Sequence, residues 1–305
     1  MQLAHLTRLS RLVSFPHLAR LSFTIALVTA AWSCLAWAET ASAQSIFPDK
    51  NLESGVRKEV FEKRNNDMPI VEADVPNISQ VVWKGKEGKK VANLAGLEKC
   101  RSIASVELDN NEIVDLTPLK DLKNIQLLSL KGNKIKDLSP LAGLTNLQYL
   151  QLENNEVEDL TPLKGLTNLR SLYLSNNKIK DVTVVSGFTK MWSLYLGGNQ
   201  IVDVKPLAGL KSLDTINLSG NGLVDISPLA GLAPSKFLFL QGNRITDLGV
   251  LVTMAKGDTE GEKAQKRFAP FWYVDVSGNP LSDAAKTGQL GELRKIGVPD
   301  RIKFQ

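Results

Sequence analysis

The chain has 305 residues, a formal net charge of +5, 43% apolar residues, two histidines and two cysteines. His5, His17 and Cys34 all fall within the first 43 residues, leaving no histidine and one cysteine, Cys100, beyond them. That excludes a histidine–cysteine zinc site and a histidine-activated nucleophile from the rest of the chain, so no metal, cofactor or catalytic residue is expected there.

Residues 1–43 read as a secretory signal. Arg8, Arg11 and Arg20 precede an apolar stretch from Leu21 to Ala38, and Ala41-Ser42-Ala43 offers small residues to a signal peptidase. Cleavage is expected after Ala43, with Ala38 as second choice. The apolar stretch is short for an uncleaved anchor and contains Thr29 and Ser33. A lipid anchor on Cys34 is the alternative, against which Ala31-Trp32-Ser33 stands as a poor lipobox. The expected location is extracytoplasmic, periplasmic or secreted, with no stable membrane insertion after cleavage. Three arginines and Glu39 leave with this segment, lowering the net charge to +3.

Residues 44–93 read as a helical cap. Leu52, Val56 and Val60 share one helical face after Asp49. Trp83 and Val91 belong to that cap or to a degenerate first coil. Gly85-Lys86-Glu87-Gly88-Lys89-Lys90 lacks the gap and the following hydroxyl of a phosphate loop and reads as a basic turn. Asn77-Ile78-Ser79 is formally a glycosylation sequon.

From residue 94 to 281 the text repeats. Asparagine recurs every 22 residues at Asn111, Asn133, Asn155, Asn177, Asn199, Asn221 and Asn243, a solenoid period. Alternating pairs such as Leu128 and Leu130, or Leu172 and Leu174, predict one short strand per coil with leucines inward. Thr117-Pro118, Ser139-Pro140, Thr161-Pro162 and Ser227-Pro228 suit the cap and first position of a short helical or 3₁₀ turn. The aspartate two residues earlier, from Asp115 to Asp247, is expected to accept hydrogen bonds within that turn. The asparagines, whose amides donate and accept, read as a buried structural ladder. Cys100 shares its register with Leu122, Leu144 and Phe188 and reads as a core residue.

The next matching asparagine, Asn279, lies 36 residues after Asn243, which places an insertion near 254–268, with Lys256–Lys263 as a polar surface loop. Residues 282–305 read as a C-terminal cap, Ser282 starting a helix that carries Leu290 and Leu293 and ends at Gly297.

The phrase Leu-x-Leu-x-x-Asn-x-Ile-x-Asp-Leu-x-Pro-Leu resembles the leucine-rich repeat superfamily, in its internalin-like bacterial subclass, over Leu94 to Leu281. The resemblance implies an α/β right-handed solenoid, with a parallel sheet on the concave face, short helical or 3₁₀ turns on the convex face and a helical N-terminal cap. It also implies adhesion to host surface proteins in some relatives. That role is not expected of this chain, because no Leu-Pro-x-Thr-Gly sorting signal, long linker or second adhesive domain is found.

Function must then be read from the outward strand positions. Glu107, Asp109, Glu153 and Asp275 leave carboxylate catalysis formally open, but Asp109, Lys131 and Glu153 share an offset and read as an alternating charge ladder. The lysines at 120, 123, 131, 134 and 136 are interleaved with acids and accompany no nucleic-acid motif, so no nucleic-acid partner is expected. Tyr149, Tyr173, Tyr195, Phe237, Phe239 and Tyr273 fall at outward positions, with Trp192 and Trp272 one step before their strands. Cross-strand packing alone is one reading of this set. The other is a partner-binding face, since a patch over five coils is more than a soluble monomer leaves uncovered. Eight strands give a face about 34 Å long, adequate for a protein interface. A protein partner is the leading expectation. A glycan stacked on Tyr173, Tyr195, Trp192 and Trp272 is the alternative, and self-association through the face a further one.

Overall fold

The computed structural model describes residues 44–232, 237–260, 272–296 and 302–304. The expected signal segment with Cys34, the distal half of the insertion and the expected helix end at Gly297 lie outside the described residues. The chain divides into Met1–Gln44 and Ser45–Gln305, and the sheet lies wholly in the second unit.

Ten parallel strands form one sheet in chain order. They are β1 (Gln80–Val82), β2 (Ser105–Glu107), β3 (Leu127–Ser129), β4 (Tyr149–Gln151), β5 (Ser171–Tyr173), β6 (Ser193–Tyr195), β7 (Thr215–Asn217), β8 (Phe237–Phe239), β9 (Tyr273–Asp275) and β10 (Ile302–Lys303). The 22-residue period fixes the register, so that Leu128 pairs with Leu150, Leu172 and then Leu194. Every strand centre from β1 to β9 is buried, and the residues beside it face away from the core. The sheet therefore extends one strand into each flanking region, with β1 ahead of the regular repeats and β10 beyond Leu281.

The asparagine ladder takes the structural role expected of it. Asn177 Oδ1 accepts from Val157 N at 2.9 Å, and its Nδ2 donates to Leu152 O and Leu174 O, each at 2.9 Å. The pattern recurs coil by coil and reaches Asn279, which serves Ile245 N, Leu240 O and Val276 O. At the other end Asn111 accepts from Val91 N and donates to Trp83 O. Those two bonds assign Trp83 and Val91 to the first coil.

The residue before each of these asparagines carries a rule that the 22-residue phrase only hints at. Asn110, Asn154 and Asn176 have φ between 54° and 59°, and Gly132, Gly198, Gly220, Gly242 and Gly278 have φ between 58° and 68°. Only glycine, and asparagine next best, enters this left-handed region cheaply.

On the opposite side short 3₁₀ turns close the coils, for instance Thr117–Leu119, Ser139–Leu141 and Thr161–Gly165. Here the expectation is corrected in detail. Serine or threonine is the first turn residue, not its cap; the preceding leucine occupies the cap position and offers no side-chain bond. The aspartate supplies the missing acceptor, Asp137 Oδ1 taking Ser139 N at 2.8 Å and Asp159 Oδ1 taking Thr161 N at 2.7 Å. The hydroxyls of Ser139 and Thr183 also donate to the same carboxylate oxygens as their N–H groups, at 2.5 and 2.6 Å, which is why the two residue types recur together.

The N-terminal cover is α1 (Lys50–Arg57). Asp49 ties it to the array, since Oδ1 accepts from Asn51 N and Leu52 N while Oδ2 accepts from Ala92 N and Asn93 N. At the other end Gly249–Thr259 forms α2, so Lys256 to Thr259 are helical and not the polar loop expected. The reason is packing: Leu251, Val252 and Ala255 are buried, a face that a surface loop would not carry. Ser282 Oγ accepts from Ala285 N as anticipated, and the chain continues through a π turn, Ala285–Gln289, into α3 (Leu290–Lys295). Lys256 and Glu292 join α2 to α3 at 2.6 Å.

Candidate functional face

The sheet side turned away from the core carries two outward columns along the strands and a third just after them. In the first column Tyr149 leads through Ser171, Ser193 and Thr215 to Phe237 and Tyr273. In the second, Ser129, Gln151, Tyr173, Tyr195, Asn217, Phe239 and Asp275 succeed one another.

This register divides the aromatics into two clusters. Tyr173 and Tyr195 stack with ring centroids 4.8 Å apart and 21° between planes, and Tyr149 leans on Tyr173 at 5.2 Å. On the far side Tyr273 meets Phe239 at 5.5 Å and Phe237 at 6.3 Å, with Lys303 Nζ 5.6 Å from its ring. Strand β7 separates them with Thr215 and Asn217. A continuous patch over five coils is thus two patches with a polar strand between.

The two tryptophans part company. Trp192 is 56% exposed at the margin before β6 and belongs to neither cluster among the described residues. Trp272 is 1% exposed and packs within the core. Its expected place on the binding face is therefore corrected. Trp272 follows the insertion, where the 22-residue period has lapsed, and its large indole packs in the core.

Next to the tyrosines lies a polar network on β2 to β4. Ser129 Oγ donates to Asp109 Oδ1 at 2.5 Å and lies 3.1 Å from Gln151 Oε1, which accepts from Tyr149 Oη at 3.0 Å. Gln151 Nε2 donates to Glu153 at 2.6 Å, and Lys131 Nζ lies 3.6 Å from the same carboxylate. The charge ladder read from sequence is present as the Lys131–Glu153 pair, whereas Asp109 binds Ser129 and the Lys131 N–H. Burial, reinforced by Tyr173 and by Glu153, Asp109 and Glu107, pushes the Tyr149 phenol up to about 12. Burial likewise raises Tyr195. Both hydroxyls stay neutral and serve as hydrogen-bonding groups.

A second ladder escaped the sequence reading although it recurs every 22 residues. Lys90, Glu112 and Lys134 alternate at 3.4 and 3.7 Å, and Glu156 then meets Lys178 at 2.9 Å and Lys136 at 3.4 Å. Cys100 is buried, and burial raises its thiol to about 12, as suits a core residue. Glu107 on β2 and Asp275 on β9 stand seven strands apart, roughly 34 Å, far beyond the separation at which two carboxylates share one reaction.

A family model described as leucine rich repeats (2 copies) matches residues 123–165, 145–190 and 193–231. The chain is similar to the crystal structure of internalin C2 from Listeria monocytogenes, at 36% identity over 68% of this chain and 91% of that one, with a TM-score of 0.64. An internalin, inlF, from the same organism matches at 27% identity over 87% of this chain and 78% of that one, TM-score 0.62. A leucine-rich repeat protein of Leptospira interrogans shares the fold at 20% identity, 68% and 56% coverage, and TM-score 0.52. No curated protein matches. The asparagine ladder, the sheet register and these likenesses agree, and the chain belongs to the internalin-like family of leucine-rich repeat proteins.

Proposed function

We propose that this protein is an exported, non-catalytic recognition module that binds a protein partner through the aromatic clusters of its strand face. The observation that carries the reading is the Tyr149–Tyr173–Tyr195 contact chain on three adjacent strands. Rigid, half-buried tyrosines lose little conformational freedom on binding and dominate many protein interfaces. Tyr273, Phe237 and Phe239 form a second anchor point, and Trp192 flanks the first. The glycan reading loses one of its four rings with the burial of Trp272. Self-association through the same face is the competing occupant of the tyrosines.

Export rests on residues 1–43, and the domain reading that goes with it is a signal at 1–43, a cap at 44–93, repeats at 94–281 and a C-terminal cap at 282–305. No helix among the described residues is long and apolar enough to cross a membrane. N-terminal sequencing of the protein recovered outside the cytoplasm is expected to begin at Gln44, and recovery only as the intact chain in the cytoplasm would end the export reading.

Sedimentation velocity of wild type against a Tyr173→Ser, Tyr195→Ser, Phe239→Ser variant separates the two occupants of the face. Monomers in both are expected, leaving the face free for another protein. A wild-type dimer that the variant abolishes would make the face a self-association surface.

A further inference from the structure

Between the two aromatic clusters the third outward column changes character. It runs from Glu153 on the β4 side through Ser175, Gly197 and Ser219 to Gln241 on the β8 side. Three small residues in succession leave an open trough of 620 Å³, walled on one side by Tyr195. Its length is four strand spacings, roughly 19 Å. Gly197 keeps it open, because a Cβ there would stand 2.6 Å from Ser219 Oγ and 2.9 Å from Asn217 Oδ1.

The trough has a definite chemistry. Its walls offer hydroxyls and amides, and the one carboxylate, Glu153, is already matched by Lys131 and Gln151. Ser175 Oγ, one step in from Glu153, and Gln241 Oε1, at the far end, are withdrawn from solvent and have no hydrogen-bond partner among the described residues. Native proteins rarely leave such atoms unmatched. One face of Tyr195 is covered by Tyr173, and the opposite side borders β7 and the trough.

We propose that this trough binds a short chain of neutral sugar rings; it shares Tyr195 with the proposed protein-binding face, and variants at Ser219 and Gln241, which lie outside the aromatic clusters, separate the two readings. Ring hydroxyls both donate and accept, as the unmatched Ser175 Oγ and Gln241 Oε1 require, whereas Asn217 Oδ1 already accepts from Ser219 N and Ser219 Oγ at 2.9 and 2.7 Å; the C–H face of a pyranose rests on the aromatic face of Tyr195. A charged ligand would find no free opposite charge. An extended peptide would find no strand to pair with, because Gly198 N already donates to Ser219 O, Leu218 N to Phe239 O and Gly220 N to Gln241 O.

Isothermal titration of the purified protein with chitotetraose, cellotetraose and maltotetraose tests the proposal, with tetragalacturonate as the charged control. At least one neutral tetrasaccharide is expected to bind saturably and more tightly than the control. Ser219→Leu, which fills the trough from an outward position, is expected to weaken it about tenfold or more. Gln241→Ala, which removes one end group and touches no ladder bond, is expected to weaken it roughly three- to tenfold and serves alone should Ser219→Leu fail to fold. Absence of saturation by all three neutral sugars up to about 10 mM, tighter binding of tetragalacturonate, or affinity unchanged in a folded trough variant would overturn the proposal.

Discussion

Single residues in this protein act through repetition, and their loss can be read against that background. Replacing Asn177 by alanine removes one acceptor and two donors inside the coil; Val157 N loses its side-chain partner, while Leu152 O and Leu174 O keep the amides of Asn155 and Asn199. The expected cost is about 1–3 kcal/mol, measured as a lower urea midpoint at unchanged slope. Gly220, at φ 58°, holds a left-handed conformation that a side chain strains although a Cβ there would meet only ordinary contact, whereas Gly187 lies at ordinary φ with nothing near its Cβ direction. Gly220→Ala is therefore expected to cost about 1–2 kcal/mol, and Gly187→Ala to be neutral or slightly stabilising. The Tyr149 phenol titrates near 12 because burial disfavours its anion. Stability from this group is intact below the ordinary tyrosine value of about 10 and is lost as pH rises through the folded value. Absorbance titration at alkaline pH should accordingly show a late-ionising component that Tyr149→Phe removes.

At the scale of elements, two devices hold pieces of chain in place. The 3₁₀ turns depend on carboxylates: hydrogen bonds from Ser139, Thr161, Thr183 and Ser227 hold Asp137, Asp159, Asp181 and Asp225 below the usual range. A depressed folded value means that the stabilisation is complete above the unfolded pKa and disappears as pH falls through the folded one. Thermal melts should thus decline in temperature below about pH 4. A triple Asp137→Asn, Asp159→Asn, Asp181→Asn variant, which keeps the acceptor oxygen but loses the charge, should melt lower at neutral pH and decline less steeply. The cap helix depends on Arg57, whose Nη2 pairs with the buried Glu53 and whose Nη1 donates to the carbonyls of Lys63, Asn66 and Met68. Burial pushes Glu53 up, yet the hydrogen bonds and charges of Lys50 and Arg57 outweigh it and hold the carboxyl low. Arg57→Ala leaves that carboxylate without its inner partner and is expected to cost about 2–4 kcal/mol, read by urea unfolding.

From β1 to β10 the coils form a stack in which each strand pairs only with its neighbours. Deletion of one full period, residues 171–192, should preserve the fold, because Leu150 would then pair with Leu194 in the same register. Deletion of half a period should break the stack at the junction, since the shortened coil could not return the chain to the sheet and the flanking coils would lose their shared interface. Circular dichroism and melting of the two variants check this. The alternating Lys90–Glu112–Lys134 ladder runs along the same axis but is exposed, and such pairs contribute little. Cohesion comes from the continuous apolar core.

Strict repetition made the fold legible from the chain alone. The 22-residue period dictates strand spacing, leucine burial and the asparagine and aspartate bonds, because each is a local relation copied into every coil. It also names which residues face outward, so the tyrosines of the strand face are legible in the chain itself. The features beyond its reach depend on contacts across coils or on broken periodicity. The burial of Trp272, the helical start of the insertion and the return of Ile302–Lys303 to the sheet all occur where the period lapses and packing against non-repeating neighbours decides. The division of the aromatic face by β7, and the trough that Ser175, Gly197 and Ser219 create together, arise from side chains 22 residues apart becoming adjacent. Such a surface has no linear signature, since its shape is set by differences between coils and only stacking brings those differences side by side.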